Sequence, residues 1–118
     1  GMGDLYIVDG MKSPVPMGLI AAAGVAPKDI RIGGARFEDL HRGGWDPATR
    51  LADQDRDGVA AEIIYPTVGM LICNHPDFDY KKACFDAYNR WLQSYCSHAP
   101  DRLVGVGQTA MRTVPEGM

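Results

Sequence analysis

The sequence predicts an α/β fold built around one strand–helix–strand unit, and three observations lead there. The run Val59–Ala60–Ala61–Glu62–Ile63–Ile64–Tyr65 is apolar and partly β-branched, and Pro66, which cannot donate to a sheet ladder, closes it. In the segment that follows, Tyr80, Ala83, Cys84, Ala87, Tyr88, Trp91, Leu92, Tyr95 and Cys96 recur at the i, i+3, i+4, i+7 spacing of one helical face. After Pro100, the run Leu103–Val104–Gly105–Val106–Gly107 supplies a second short strand. A strand, a crossover helix and a strand form a right-handed unit whose strands lie parallel in one sheet.

The elements can be justified in chain order. From Asp4 to Val15 a weak alternation surrounds Asp9–Gly10, a dipeptide suited to a tight turn, which predicts a two-stranded ribbon. Between Ser13 and Gly44 the prolines Pro14, Pro16 and Pro27 and the pair Gly33–Gly34 leave room only for short helical pieces near Met17–Ala23 and Ala35–Leu40. Residues 1–44 therefore read as a hairpin and a loop-rich excursion, and residues 45–118 as the part that carries the βαβ unit. Asp46–Pro47 supplies an N-cap and a first-turn proline, and Gly58 ends the helix between them. The strand at 59–66 reads as buried. Asp77 or Asp79 can cap the long helix, whose stripe places Tyr88 and Trp91 in the core, and Val114–Pro115–Glu116 reads as the first turn of another helix.

Composition limits the function. The 118 residues are 46% hydrophobic and 23% charged, close to the globular average, so the chain should fold as one unit. A net charge of −3 without a basic stripe argues against nucleic acid as a partner. No apolar run approaches the ~20 residues of a membrane span, and no charged-then-apolar leader is visible at the start. Three cysteines without a pairing pattern fit a reducing, cytoplasmic setting better than a disulfide scaffold.

Several motifs have competing readings. Asp53–Gln54–Asp55–Arg56–Asp57–Gly58 matches the first half of a calcium loop, but Ile64 stands where the bidentate glutamate belongs; the other reading is a charged helix end with a glycine cap. The pairs Cys73–Asn74–His75 and Cys96–Ser97–His98 carry zinc-type donors, against which Cys96 lies on an apolar helix face. There is no nucleophile elbow, no phosphate-binding glycine loop and no His-Glu-x-x-His. Ligands of α/β folds sit at the carboxyl ends of parallel strands, which makes Tyr65, Thr67 and His75 the best-placed polar groups for binding a small-molecule substrate. The competing reading is that Tyr65 and Thr67 close a turn and His75 is solvated. No residue is assigned a catalytic or metal-binding role.

Five blocks in order, Arg50–Leu51 with Asp55–Arg56–Asp57–Gly58–Val59, Glu62–Ile63–Ile64–Tyr65–Pro66–Thr67, Ala87–Tyr88–Asn89–Arg90–Trp91–Leu92, Pro100–Asp101–Arg102–Leu103 and Val104–Gly105–Val106, carry a resemblance. Over roughly residues 45–114 the chain resembles amidohydrolase family 2, the metal-dependent hydrolases and decarboxylases related to aminocarboxymuconate-semialdehyde decarboxylase and resorcylate decarboxylases. The ribbon at Asp4–Val15 looks like the excursion some members place after their first strand. The resemblance implies a (β/α)8 TIM barrel of which this chain holds a part, the second and third strands with the helix between them. It also implies a catalytic metal, commonly zinc, held by a His-x-His, later histidines and an aspartate. This chain has no His-x-His, and no metal ligand of the family can be carried over to any of its positions.

Two readings follow. One is a fragment of an amidohydrolase-type hydrolase or decarboxylase acting on a small organic acid or ring substrate. The other is a catalytically inactive α/β module that self-associates. A parallel pair such as Ala60–Tyr65 with Leu103–Gly107 leaves edges and a face that need covering; a homodimer or higher homo-oligomer is expected, with a two-fold dimer the simplest closure, and the alternatives are aggregation or a family-like barrel completed by further residues.

Overall fold

The computed structural model describes residues 1–67 and 69–118. Strand β1 (Leu5–Tyr6) pairs antiparallel with β2 (Val15–Pro16), matching Leu5 to Pro16 and Tyr6 to Val15. The turn at Asp9–Gly10 forms as expected, with Met11 N–H donating to Val8 O at 3.1 Å, but the ladder stops well short of it. The expected helix at 17–23 is a single turn, α1 (Met17–Ile20), and the one at 35–40 shrinks to a 3-10 turn at Phe37–Asp39. Two more such turns, Pro27–Asp29 and Arg42–Gly44, complete the excursion.

Helix α2 (Pro47–Asp57) has the ends its sequence encodes. The Asp46 carboxylate accepts from Ala48 N–H at 3.3 Å and from the Thr49 hydroxyl at 2.5 Å, and Gly58 closes the helix at φ 69°. Strand β3 (Glu62–Ile64) leads to α3 (Gly69–Ile72), one helical turn in a stretch read from sequence as loop. Helix α4 (Phe78–Cys96) is capped by Asp77, which accepts from Tyr80 N–H at 3.0 Å. It crosses to β4 (Leu103–Gly105), which pairs in parallel with β3 in the register Glu62–Leu103, Ile63–Val104, Ile64–Gly105. The βαβ unit is thus observed. A final turn, α5 (Val114–Gly117), starts with a capping box between Thr113 and Glu116.

Two expectations are corrected. The first is that β3 is buried. It is covered on one side only: Ile63 is 61% exposed and Val104, its neighbour on β4, 47%. The second is that α4 has a single apolar stripe, with Trp91 in the core. Phe85, Leu92 and Tyr95 are the buried positions, while Ala83 and Ala87 are exposed and Trp91 is 40% exposed. The reason is that α4 is apolar around most of its circumference, so spacing alone does not select the side that packs. Contact with β4 selects it: a Cβ on Gly105 would lie 2.6 Å from Leu92 Cδ2, a close approach that only glycine permits.

The main core cluster joins Val8, Ile72, Phe85 and Ala110, with Tyr6, Met11, Phe78, Tyr80 and Cys84 packed around it. The N-terminal ribbon is therefore docked on the α4 side of the βαβ unit. The molecule is a slab of 43 × 40 × 19 Å with a radius of gyration of 15.9 Å, against about 13.5 Å for a compact domain of this length. Its accessible surface is 8031 Å², against about 6,300 Å² for a compact monomer of its mass.

Candidate functional site

The carboxyl ends of β3 and β4 lie on the same side of the sheet because the strands are parallel. Tyr65 and Thr67 follow β3 directly and are both exposed. His75 stands apart from them at the end of the same connection. It is 7% exposed, and both ring nitrogens are engaged by backbone: Nε2 lies 2.6 Å from Asp9 O, and Asp77 N–H donates to Nδ1 at 3.1 Å. These partners place the proton on Nε2, and the ring stacks on Tyr80 with centroids 4.3 Å apart. In this arrangement His75 clamps the Asp9–Gly10 turn to the start of α4. No hydrogen bond among the described residues joins Tyr65, Thr67 and His75.

Two further residues shape this end of the sheet. The Asn89 side chain lies on the buried side of α4 between Phe85 and Leu92 and pairs twice with the Gln108 backbone: Nδ2–H donates to Gln108 O and Oδ1 accepts from Gln108 N–H, both at 2.8 Å. Gln108 Nε2 in turn approaches Cys73 Sγ at 3.7 Å, tying the segment after β4 to the loop after β3. Its Oε1 is buried without a partner among the described residues. An asparagine four residues after Phe85 and three before Leu92 was the signal in the sequence for this contact.

The amino ends of the strands carry a separate polar network. Glu62 Oε2 accepts from Arg50 Nε at 2.6 Å and from Gln54 Nε2 at 2.9 Å; Gln54, 2% exposed, also donates to Arg102 O at 3.3 Å. Arg102 reaches Asp55 at 2.8 Å and the Val59 and Ala60 carbonyls at 3.3 and 3.2 Å. Burial pushes the Glu62 carboxyl up, but the hydrogen bonds from Arg50 and Gln54 outweigh it and leave the group below the ordinary glutamate value. The network ties α2, β3 and β4 together at the amino end of the parallel pair.

The motifs with metal-type donors take other roles in this geometry. In the Asp53–Gly58 run, Asp53 meets His41 and Arg56, Asp55 meets Arg102, and Asp57 meets Arg56. His75 is committed to backbone and His98 Nδ1 lies 3.2 Å from Ser94 O, while burial pushes the Cys96 thiol up. No group of three or more His, Cys, Asp and Glu side chains among the described residues could hold a metal ion, so this donor set does not fit zinc as folded. No helix among them is long and apolar enough to cross a membrane. No protein-family model, curated protein or solved structure matches the chain.

Proposed function

We propose that the chain is a scaffold segment of an amidohydrolase-type hydrolase or decarboxylase, a cytoplasmic enzyme acting on a small organic acid or ring substrate. The observation that carries this reading is the half-covered parallel pair. Helix α4 packs against β4 and α2 is tied to β3 through Glu62 on one side, and the other side exposes Ile63, Tyr65, Val104 and Val106. In a (β/α)8 barrel the uncovered side is the barrel interior, filled by branched residues from successive strands. Tyr65 and Thr67 then stand at the carboxyl-end rim, where such barrels bind substrate, and the Arg50–Glu62–Gln54–Arg102 network sits at the opposite, stabilising end. Zinc or another divalent metal belongs in this reading to the complete enzyme, and none of the residues here is assigned to it.

The complete reading frame around these residues provides the test. Its product should contain a His-x-His and further βα units, bind about one divalent metal per chain, and release carbon dioxide from, or hydrolyse, small aromatic or unsaturated acids. A product with neither the ligands nor the turnover overturns the proposal.

The second reading, an inactive module closed by a second copy, draws on the same exposed face. The accessible surface of one chain exceeds the compact expectation by roughly 1,700 Å², about twice the ~800 Å² that each partner buries in a standard interface. Light scattering at micromolar concentration should then give a dimer that Val104→Lys splits. A monodisperse monomer sinks this reading and leaves the first untouched.

A further inference from the structure

The His41 imidazole is held by a carboxylate and borders a cavity that the reading above does not use. His41 Nε2 lies 2.5 Å from Asp53 Oδ2, and Asp53 Oδ1 is in turn fixed by Arg56 Nη1 at 3.2 Å. The approach depends on Gly43: a Cβ there would come within 2.9 Å of Asp53 Oδ2 and 3.3 Å of the His41 ring. Gly43 is itself pinned from the other side, where the buried Tyr95 hydroxyl donates to its carbonyl at 2.6 Å. Ring and carboxylate are both partly shielded, with side chains 37% and 21% exposed. His41 Nδ1 has no partner among the described residues. The cavity, about 640 Å³, is walled largely by small and aliphatic residues such as Gly18, Ala22, Val25 and Leu40, with Asp29, Arg31 and Asp39 as its charged groups.

An imidazole with one nitrogen held by a carboxylate and the other free is an arrangement suited to moving a proton. We propose that His41 is a general base for acyl transfer to water from a small ester bound in this cavity, with Asp53 as its positioning residue. With the proton on Nε2 and bonded to Asp53, the Nδ1 lone pair takes a proton from water as the water oxygen bonds to the acyl carbon. The bond from that carbon to the leaving oxygen then breaks, and the imidazolium returns its proton to that oxygen. Asp53 stays ionised throughout. The cavity volume lies in the range of small-molecule sites, and its short side chains leave room for the acyl group.

The experiment uses p-nitrophenyl acetate as probe. The chain should hydrolyse it faster than free imidazole at equal concentration. His41→Gln should remove that excess, and Asp53→Asn should lower it by about 10²-fold or more. His98→Gln, which alters an exposed imidazole at the end of α4, should leave it unchanged. Histidine ¹⁵N shifts provide a reading that a merely structural pair would not move with the rate: the His41 proton sits on Nε2 in the parent and moves to Nδ1 in Asp53→Asn, where the amide N–H donates to Nε2. If circular dichroism shows either variant unfolded, the parent is treated with diethyl pyrocarbonate. Loss of rate in step with modification mapped to His41 supports the assignment, and loss in step with His98 overturns it. A parent rate no greater than that of free imidazole, or an excess that survives His41→Gln, also overturns it.

Discussion

Leu103→Ala and Val104→Ala test the half-covered sheet directly, because the two residues are neighbours on β4 that face opposite sides. Leu103 is 1% exposed and is the largest fully buried apolar side chain. Truncation removes three carbons at about 0.8 kcal/mol each. Any cavity that remains adds about 24 cal/mol per Å³, which places the total near 3 kcal/mol within the 2–5 kcal/mol usual for buried leucines. That is a large fraction of the ~5–15 kcal/mol that holds a small domain together, and it corresponds to a melting point lower by roughly 10–20 °C. Val104 faces the open side, and its truncation should cost less than about 1 kcal/mol. Thermal unfolding followed by circular dichroism, with urea titration to confirm an unchanged slope, measures both; the sample should be dilute enough to be monomeric by light scattering. Equal losses for the two variants, or a Leu103→Ala melting point within 2 °C of the parent, would show that β4 is not packed on one side only.

Further outcomes follow from single contacts. Gly105→Val inserts a branched side chain where even a Cβ would lie 2.6 Å from Leu92, and should cost about 1–3 kcal/mol in urea titration by overpacking. The folded-state pKa of Glu62 lies below its unfolded value, so its ionised form stabilises the fold above the unfolded value and that contribution is lost as pH falls through the folded one. Glu62→Gln should therefore flatten the acid limb of a stability–pH curve, and an unchanged limb would refute the network. The Glu116 carboxyl is held down to about 2, first by the hydrogen bond from the Arg112 side chain and then by backbone N–H groups. Carbon NMR titration should find its midpoint there, and Arg112→Gln should raise it. Equilibrium dialysis against zinc should leave no stoichiometric metal on the chain; about one zinc per chain, lost on Cys73→Ser, would revive the Cys-x-His pairs as ligands.

The sequence by itself determined what depends on neighbours a few residues away. Asp46 and Gly58 bound α2, Asp77, one of two candidates, opens α4, and Val114–Pro115–Glu116 starts α5, because caps, first-turn prolines and left-handed glycines act within one turn. The parallel pairing of β3 with β4 was legible for a related reason: two apolar runs separated by a helix have few other ways to meet. What only the tertiary structure decided were choices between faces and between distant partners. Tyr88, Trp91 and Leu92 share one periodicity, and contact of Leu92 with Gly105 is what selects the packed side. His75, an open polar group by its position in sequence, is buried because Asp9 O, 66 residues earlier, comes within 2.6 Å of its ring. His41, which no motif singled out, and Asp53, read only as part of a calcium-loop-like run, meet because the buried Tyr95 hydroxyl holds Gly43 between α2 and α4. Such contacts join residues whose separation in sequence carries no periodic signature, so local patterns do not encode them.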